Sequence, residues 1–581
     1  MAQQISIRKR MSGLLADYVP TLRSWTTGPE HRMADPFETV YSENYASANA
    51  AVIYAAVYAD GRDETHLREA ADMLGRSAEL LADREMVPFC RVFLLHYSLL
   101  ALLLLPQEQR RSLGNRFAAQ YSAYEDDCPT LNTNCAALQW GTEMMLESLG
   151  MRKANEAYLD QLLALIESSS TAAGFLNDDA HRAGEARDGM PIAYHLFVAF
   201  ILAASLAVLA ETGELLAALR ERAQRVVGDA IVWLLNAMSV DGTVAMAGRS
   251  RYQAFSWGVA VALLCATEEP PGPLAERALD SWLPYRKTDG SYSCTPNRLP
   301  HEMRCGFESY THVNMYNNLA LTGIAVAALM LDRRQNGWPA PAATAGTVRL
   351  SAQNRFADPQ SGYAFVREDD NFFGCTLRMH VRRYTPALQG FHYRVGSVQL
   401  PMAEADFRAC GDIGARGAGD AIWEGYLLED AAGRRAVPDS TRNADFRWLA
   451  DGVYLTWEDD ALVGAKTIRL LADGICWSYR LVPKRKFLSC VHYVPLLLHD
   501  GMHGARFTNQ GTGRLGIGFA GNQFLLECRS ARSIDVSLDR SLHSVSGVAA
   551  NTAIGVSSAA AVEGVWEWST MLRIAHGEED A

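Results

Sequence analysis

Several short stretches of this chain set hydrogen-bonding and titratable side chains into otherwise apolar surroundings. In "TLNTNCAALQW", Asn132 and Asn134 stand at the opening of a periodic apolar run. One asparagine is what a helix N-cap needs, and the other could then project its amide into a cleft. In "DGMPIAYHLFVAFI", Tyr194 and His195 adjoin at the start of a nearly continuous apolar run. Phenol and imidazole both move protons, although each also occurs as a satisfied core group. The loop before them, "GFLNDDAHRAGEARDG", is long, charged and holds His181; such loops between packed helices are uncommon and often functional. In "AGRSRYQAF", Arg249, Arg251 and Tyr252 enter an apolar helix. Two guanidinium groups beside the positive end of a helix suit an anion. The stretch "GFESYTHVNMYNN" gathers Glu308, Tyr310, His312, Asn314 and Tyr316, the mixture of amides and aromatics that binds sugars, or else a capping cluster. Further on, "LRMHVRRYTPALQGFHYRVG" holds His380, Arg382, His392 and Tyr393; strand alternation puts His380 and Arg382 on one face.

The elements that must position these residues change type along the chain. Apolar positions recur at helical spacing over 43–59, 64–82, 86–105, 107–123, 132–149, 153–168, 190–211, 213–238, 252–266 and 314–332. Stop signals such as "ADGRDE" and "SVDGT" separate them. Many of these helices are apolar on more than one face, as expected of an inner ring wrapped by an outer one. There is no repeat of the tetratricopeptide or ankyrin kind, which favours a toroid over a solenoid. After "RRQNGWPAPAATAG" the pattern becomes β-branched and aromatic, with Gly, Asp and Asn turns. The expected fold is therefore α+β and multidomain: an (α/α) toroid over 1–335, a linker over 336–346, and an antiparallel β-sandwich over 347–581.

Composition narrows the function. The 66 acidic against 54 basic residues, with no Lys/Arg block, argue against nucleic acid or a membrane as partner. The eleven cysteines are scattered with no CxxC pair, which implies reduced core thiols and no structural metal. The runs "VFLLHYSLLALLLLP" and "AYHLFVAFILAASLAVLA" read as buried core helices. The first twenty residues lack the apolar segment of a secretory signal, so a cytoplasmic location is expected. The glycine-rich "GARGAGDAIWEG" has no strand–helix context and no nucleotide meaning.

Taken in order, an Asn at a helix start (Asn134 or Asn132), a polar loop leading to Tyr194–His195 and the Arg249/Arg251 turn, in a helical half followed by a sheet half, resemble the chondroitin AC/alginate lyase superfamily, including heparinase II/III-like polysaccharide lyases. The likeness spans most of the chain in architecture and rests on short motifs; the usual Asn-Trp or Asn-Asn pair reads Asn134-Cys135 here. It implies β-elimination next to a uronic acid, without a cofactor. Tyr194 would transfer the proton and His195 share that work, while Asn134 and Arg249 neutralise the uronate carboxylate. His181, His312 and His380 compete for the histidine role. With these, Asn132, Arg251, Tyr252, Tyr310, Asn314, Tyr316 and Arg382 are the candidate contacts to an acidic oligosaccharide or polysaccharide. Two alternatives stay open: an (α/α)-barrel glycoside hydrolase using carboxylates such as Asp178, Asp179, Asp188 or Glu308, and a non-catalytic glycan-binding protein.

Overall fold

The computed structural model describes residues 2–36, 44–83, 86–124, 132–178, 191–209, 216–248, 250–267, 273–300, 312–335, 353–378, 387–402, 424–436, 444–529, 534–539, 551–557 and 564–575. The expected linker and the stretch up to residue 352 lie outside these. Among the described residues twelve α-helices come first: α1 (Ala2–Trp25), α2 (Ala46–Gly61), α3 (Glu64–Ala82), α4 (Pro88–Leu104), α5 (Gln107–Ser122), α6 (Thr133–Ser148), α7 (Glu156–Ser168), α8 (Ile192–Val208), α9 (Ala217–Asn236), α10 (Ala254–Cys265), α11 (Pro273–Asp280) and α12 (Val313–Gln335). Each even-numbered helix packs on the next even-numbered one, and α12 returns to α2, so six helices close a ring. The odd-numbered helices pack outside it.

Sequence explains who sits where. In α8 and α10 almost every side chain is apolar or small and buried, which only an inner position satisfies. The outer α3 instead buries one side, Ala70, Met73, Leu74, Ser77, Ala78, Leu80 and Leu81, and leaves the rest partly or fully exposed. Close approach inside the ring needs missing side chains. A Cβ on Gly258 of α10 would lie 2.1 Å from the Ala320 carbonyl of α12, and one on Gly323 would lie 2.4 Å from the Gly258 carbonyl carbon. Among the described residues, α12 is the one helix long and apolar enough to cross a membrane, yet 94% of its most apolar 18-residue window is buried inside the protein.

Two helices were not expected from sequence. In α1, Ile7, Met11, Leu15, Tyr18 and Leu22 form a buried stripe, but basic and polar residues and Pro20 dilute it. The Tyr18 hydroxyl donates to Asn318 Oδ1 (2.9 Å) and Arg8 pairs with Asp332 (2.9 Å), pinning α1 to α12. The other, α11, has eight residues, too few for a periodic signal.

A repeated turn follows three outer helices. Ser170 bridges Leu176 after α7, Met238 bridges Val244 after α9, and Arg286 bridges Tyr292 after α11. Each turn has a glycine with positive φ at the same place: Gly174 (94°), Gly242 (84°) and Gly290 (85°). The exit of each hairpin then accepts the first N–H of an inner helix: Thr133 to the Asp178 carbonyl (3.2 Å), Ile192 to Ala247 (3.4 Å) and Ala254 to Cys294 (2.8 Å). The chain thus contains a structural repeat that its sequence shows only as a recurrent Gly.

Among the described residues the sheet half holds three larger sheets, with every strand pair antiparallel. A five-stranded sheet over 353–399 lies against the helical ring. Trp233 of α9 packs on its Phe356, Tyr363 and Phe365. Asp358 accepts from Thr171 Oγ1 (2.8 Å) and Trp233 Nε1 (3.3 Å), and Arg394 pairs with Asp241. Beyond it, an eight-stranded sheet faces a second five-stranded one. Tyr426 from the smaller sheet meets Trp457, Tyr479 and Trp568 of the larger.

Candidate active site

Contacts join the starts of neighbouring inner helices, through Cys90–Asn44, Thr133–Asp178, Leu176–His195, Ser250–Tyr194, Ala254–Cys294, Tyr292–Asn317 and Asn318–Ala46, so these helices start at one rim. Their positive dipole ends converge there. Below the rim the ring is plugged by aromatics: Tyr45, Phe93, Phe197, Phe255 and Tyr316 touch in sequence, at centroid separations of 4.6, 5.7, 5.7 and 5.1 Å. Burial pushes the Tyr45 hydroxyl well above its ordinary value, with nearby Tyr316, Cys90, Tyr97 and Tyr194 adding to it. Tyr316, expected as a sugar contact, belongs to this plug and is 4% exposed.

The two asparagines divide their labour. Asn132 is the N-cap of α6, its Oδ1 accepting from Cys135 N (3.0 Å). Asn134, in the first turn, donates through its backbone N to Asp178 Oδ1 (2.8 Å) and through Nδ2 to Asp178 Oδ2 (3.0 Å). Its Oδ1 has no hydrogen-bond partner among the described residues. Asp178, at the exit of the first rim hairpin, therefore brackets the Asn134 amide in one orientation. Its oxygens accept from these donors and from Asn132 Nδ2 (3.4 Å), so it clamps the start of α6.

Tyr194 sits in the first turn of α8 and is partly exposed. Its hydroxyl accepts from Ser250 Oγ at 3.5 Å. Ser250 lies between the two arginines of the turn, so the loop carrying Arg251 reaches Tyr194; Arg249 itself lies outside the described residues. Gly248 packs on Pro191 at the start of α8, where a Cβ would come within 3.1 Å. Ser250 and Tyr252 both adopt left-handed φ (56° and 51°), which costs non-glycine residues energy and clusters at functional sites. Arg251 is 1% exposed, placing its guanidinium in the wall rather than on the surface.

Two expected site residues are structural instead. His195 points about 100° away from Tyr194 around the helix and is fully buried. It stacks on Phe175 (4.7 Å) and meets Trp233 edge-on (4.8 Å), while its Nδ1 accepts the Leu176 N–H (2.9 Å). Burial lowers its pKa to about 3, against the Ala230 carbonyl, which works to raise it, so it stays neutral and positions the hairpin that ends in Asp178. The Tyr252 hydroxyl accepts from Met246 N (3.3 Å) and bonds His392 Nδ1 (3.0 Å). His392 Nε2 in turn meets Thr243 Oγ1 (2.9 Å). Tyr252 thus joins the rim to the first sheet. Burial takes His392 to about 3 as well.

Asn314 opens α12, fully buried, with its N–H on Asp35 Oδ2 (3.1 Å) and its amide atoms without a partner among the described residues. His312 is half-buried just before it. His181, Tyr310, His380 and Arg382 lie outside the described residues, as do Asp179, Asp188 and Glu308. Sequence reasoning missed the clamp role of Asp178 and the contact made by Ser250; the recurring turn glycine, four residues before Asp178, was the available signal. Among the described residues no group of three or more His, Cys, Asp or Glu side chains is disposed to hold a metal.

A helical ring followed by antiparallel sheets is an architecture that solved structures share. No family model and no curated protein matches the sequence. The chain is similar to a mutant of heparan sulfate lyase HepC from Pedobacter heparinus, at 9% identity over 97% of this chain and 83% of that one, with a TM-score of 0.51. The chondroitin AC lyase of Streptomyces coelicolor A3, solved with chondroitin sulphate, aligns at 12% identity over 100% and 83% with a TM-score of 0.48. A family 88 glycosyl hydrolase from Bacteroides vulgatus aligns at 10% identity over 56% and 99%, at 0.41. At these identities the first of them shows a shared fold.

Proposed function

We propose that this protein is a glycan-degrading enzyme, an (α/α)-toroid and β-sandwich lyase that cleaves a uronic-acid-containing chain by β-elimination. The observation that carries the proposal is the 3.5 Å approach of Ser250 to the Tyr194 hydroxyl, which brings the arginine turn to a partly exposed phenol on the rim where Asp178 also holds Asn134. The uronate C5 proton is weakly acidic while its carboxylate is charged. The second N–H of Asn134 Nδ2, the arginine turn and the helix ends lower that cost by stabilising the enolate-like intermediate. The phenol then accepts the proton or returns one to the leaving oxygen, and it needs positive charge nearby to do so. With His195 committed to packing, a histidine partner would come from His181, His312 or His380.

The test is incubation with a panel of uronate polysaccharides and oligosaccharides, following the near-UV absorbance of a 4,5-unsaturated uronate. Appearance of the chromophore is expected; sugar release without it would turn the assignment to a hydrolase, and no turnover on any acidic glycan would leave a binding protein. A positioning role for Asp178 adds a second measurement. Asp178→Asn sets an amide N–H against Asn134 Nδ2, misplacing the clamped group. We expect kcat/KM to fall about 10²-fold with the Tm little changed; unchanged kinetics would remove Asp178 from the site.

A further inference from the structure

A cavity of about 430 Å³ lies between the helical ring and the first sheet, beside the rim but not in it. It shares Tyr252 and Met246 with the loop that carries Arg251, and none of Asn134, Tyr194 and Arg251 lines it. Its volume falls within the roughly 300–1,000 Å³ of small-molecule sites.

We propose that this cavity is an accessory binding site for a neutral sugar residue, formed by Trp257, Trp282 and Tyr285 of the helical half and by Asp241, Arg394 and Gln399 at its junction with the sheet. One side of the lining is aromatic: Trp257 and Trp282 lie 6.2 Å apart and nearly parallel, with Tyr285 5.6 Å from Trp282. Both indole N–H groups are spent on carbonyls, Ala278 (2.7 Å) and Ser293 (3.2 Å), so the rings offer the cavity apolar surface, to which the C–H face of a pyranose is complementary.

The lining also offers fixed polar groups. Arg394 pairs with Asp241 and donates to Ser397 O (3.0 Å) and Gln399 Oε1 (3.3 Å). Thr243 N–H (3.2 Å) and Oγ1 (2.7 Å) also bind Asp241. These groups are held in place before any ligand arrives and retain acceptor and donor capacity suited to vicinal hydroxyls. Charge selects among ligands. Asp241 is matched by Arg394 and Asp280 by Arg10, and Arg277 stands exposed at the edge. A uronate would find the Arg394 guanidinium already committed to Asp241, and Arg277 only at the exposed edge. A purely apolar molecule would strip water from Asp241, Arg394 and Gln399 without replacing its hydrogen bonds. A neutral, hydroxyl-rich ring avoids both costs.

The site is separate from the rim, so its test does not depend on turnover. Calorimetric titration of the full chain with lactose, mannobiose and chitobiose should give saturable binding to at least one. That binding should persist in Tyr194→Phe and weaken at least about tenfold in Gln399→Ala and in Tyr285→Ala, with uronate turnover on short substrates kept in both. If Tyr285→Ala does not fold, Gln399→Ala alone decides. The proposal is overturned if none of the three disaccharides binds, if binding survives Gln399→Ala unchanged, or if Tyr194→Phe abolishes it. A lyase that fails this titration keeps its rim chemistry; a protein that passes it without turnover keeps the accessory site.

Discussion

Replacing Tyr194 by Phe lowers kcat on uronate glycans by about 10²–10⁴-fold, the range spanned by a lost general acid–base group, and leaves the melting temperature near that of the parent. The two halves of this expectation come from different facts. Tyr194 is partly exposed in an otherwise buried helix, so removing its oxygen opens no cavity. Its hydroxyl also lies where the arginine turn arrives, through Ser250, and in the proposed elimination that oxygen exchanges the proton. Single-turnover formation of the unsaturated product, read beside thermal unfolding, separates loss of chemistry from loss of fold. A Tyr194→Phe protein with parental kcat would take this phenol out of the reaction.

The largest stability effect is expected far from the rim. Between the two facing sheets, Lys466 is fully buried, donating to Glu424 Oε2 (2.5 Å) and the Leu388 carbonyl (2.8 Å). Glu424 also accepts from the Tyr479 hydroxyl (2.9 Å) and meets His492 Nε2 (2.7 Å). Lys466→Met leaves this carboxylate buried without its cation, which costs about 3–5 kcal/mol in urea unfolding followed by tryptophan fluorescence. Adding Glu424→Gln should recover part of the loss.

The pH dependence of this cluster has a definite sign. Burial alone would raise the Glu424 carboxyl, but Lys466 and His492 outweigh it and hold the group below its ordinary 4.5. The unfolded chain therefore takes up this proton first. The cluster's contribution is complete above pH 4.5 and falls away as pH drops through the folded-state value. In Lys466→Met burial dominates, the shift reverses, and acid should relieve part of the deficit.

Helices that are apolar all round were legible in the sequence because no other environment tolerates them, and α8 and α10 announced an inner ring. The stripe of α1 was present but diluted by polar neighbours, and the rim hairpins left a single glycine each as their trace. In the site, Asn132 and Asn134 could be seen as a cap and a spare amide. Which did which depended on Asp178, 44 residues away along the chain. The pairing of Tyr194 with His195 failed for a geometric reason: adjacent helical residues diverge, and only one can face the rim. The partnership of Tyr252 with His392 crosses 140 residues, and local pattern carries no information about it.

The closure of the ring bears on how the protein is made. The last inner helix, α12, seals against α2 and α1 near the beginning of the chain, through Asn318 Nδ2 on the Ala46 carbonyl (3.1 Å) and Tyr18 on Asn318 (2.9 Å). During synthesis the flank of α2 that packs on α12 must wait for its partner until residues 313–335 have left the ribosome. Such long-range pairings are slow to form and leave sticky surface in the interval. Nascent chains stalled before α12 should accordingly recruit chaperones, and those stalled well past residue 335 should be released from them.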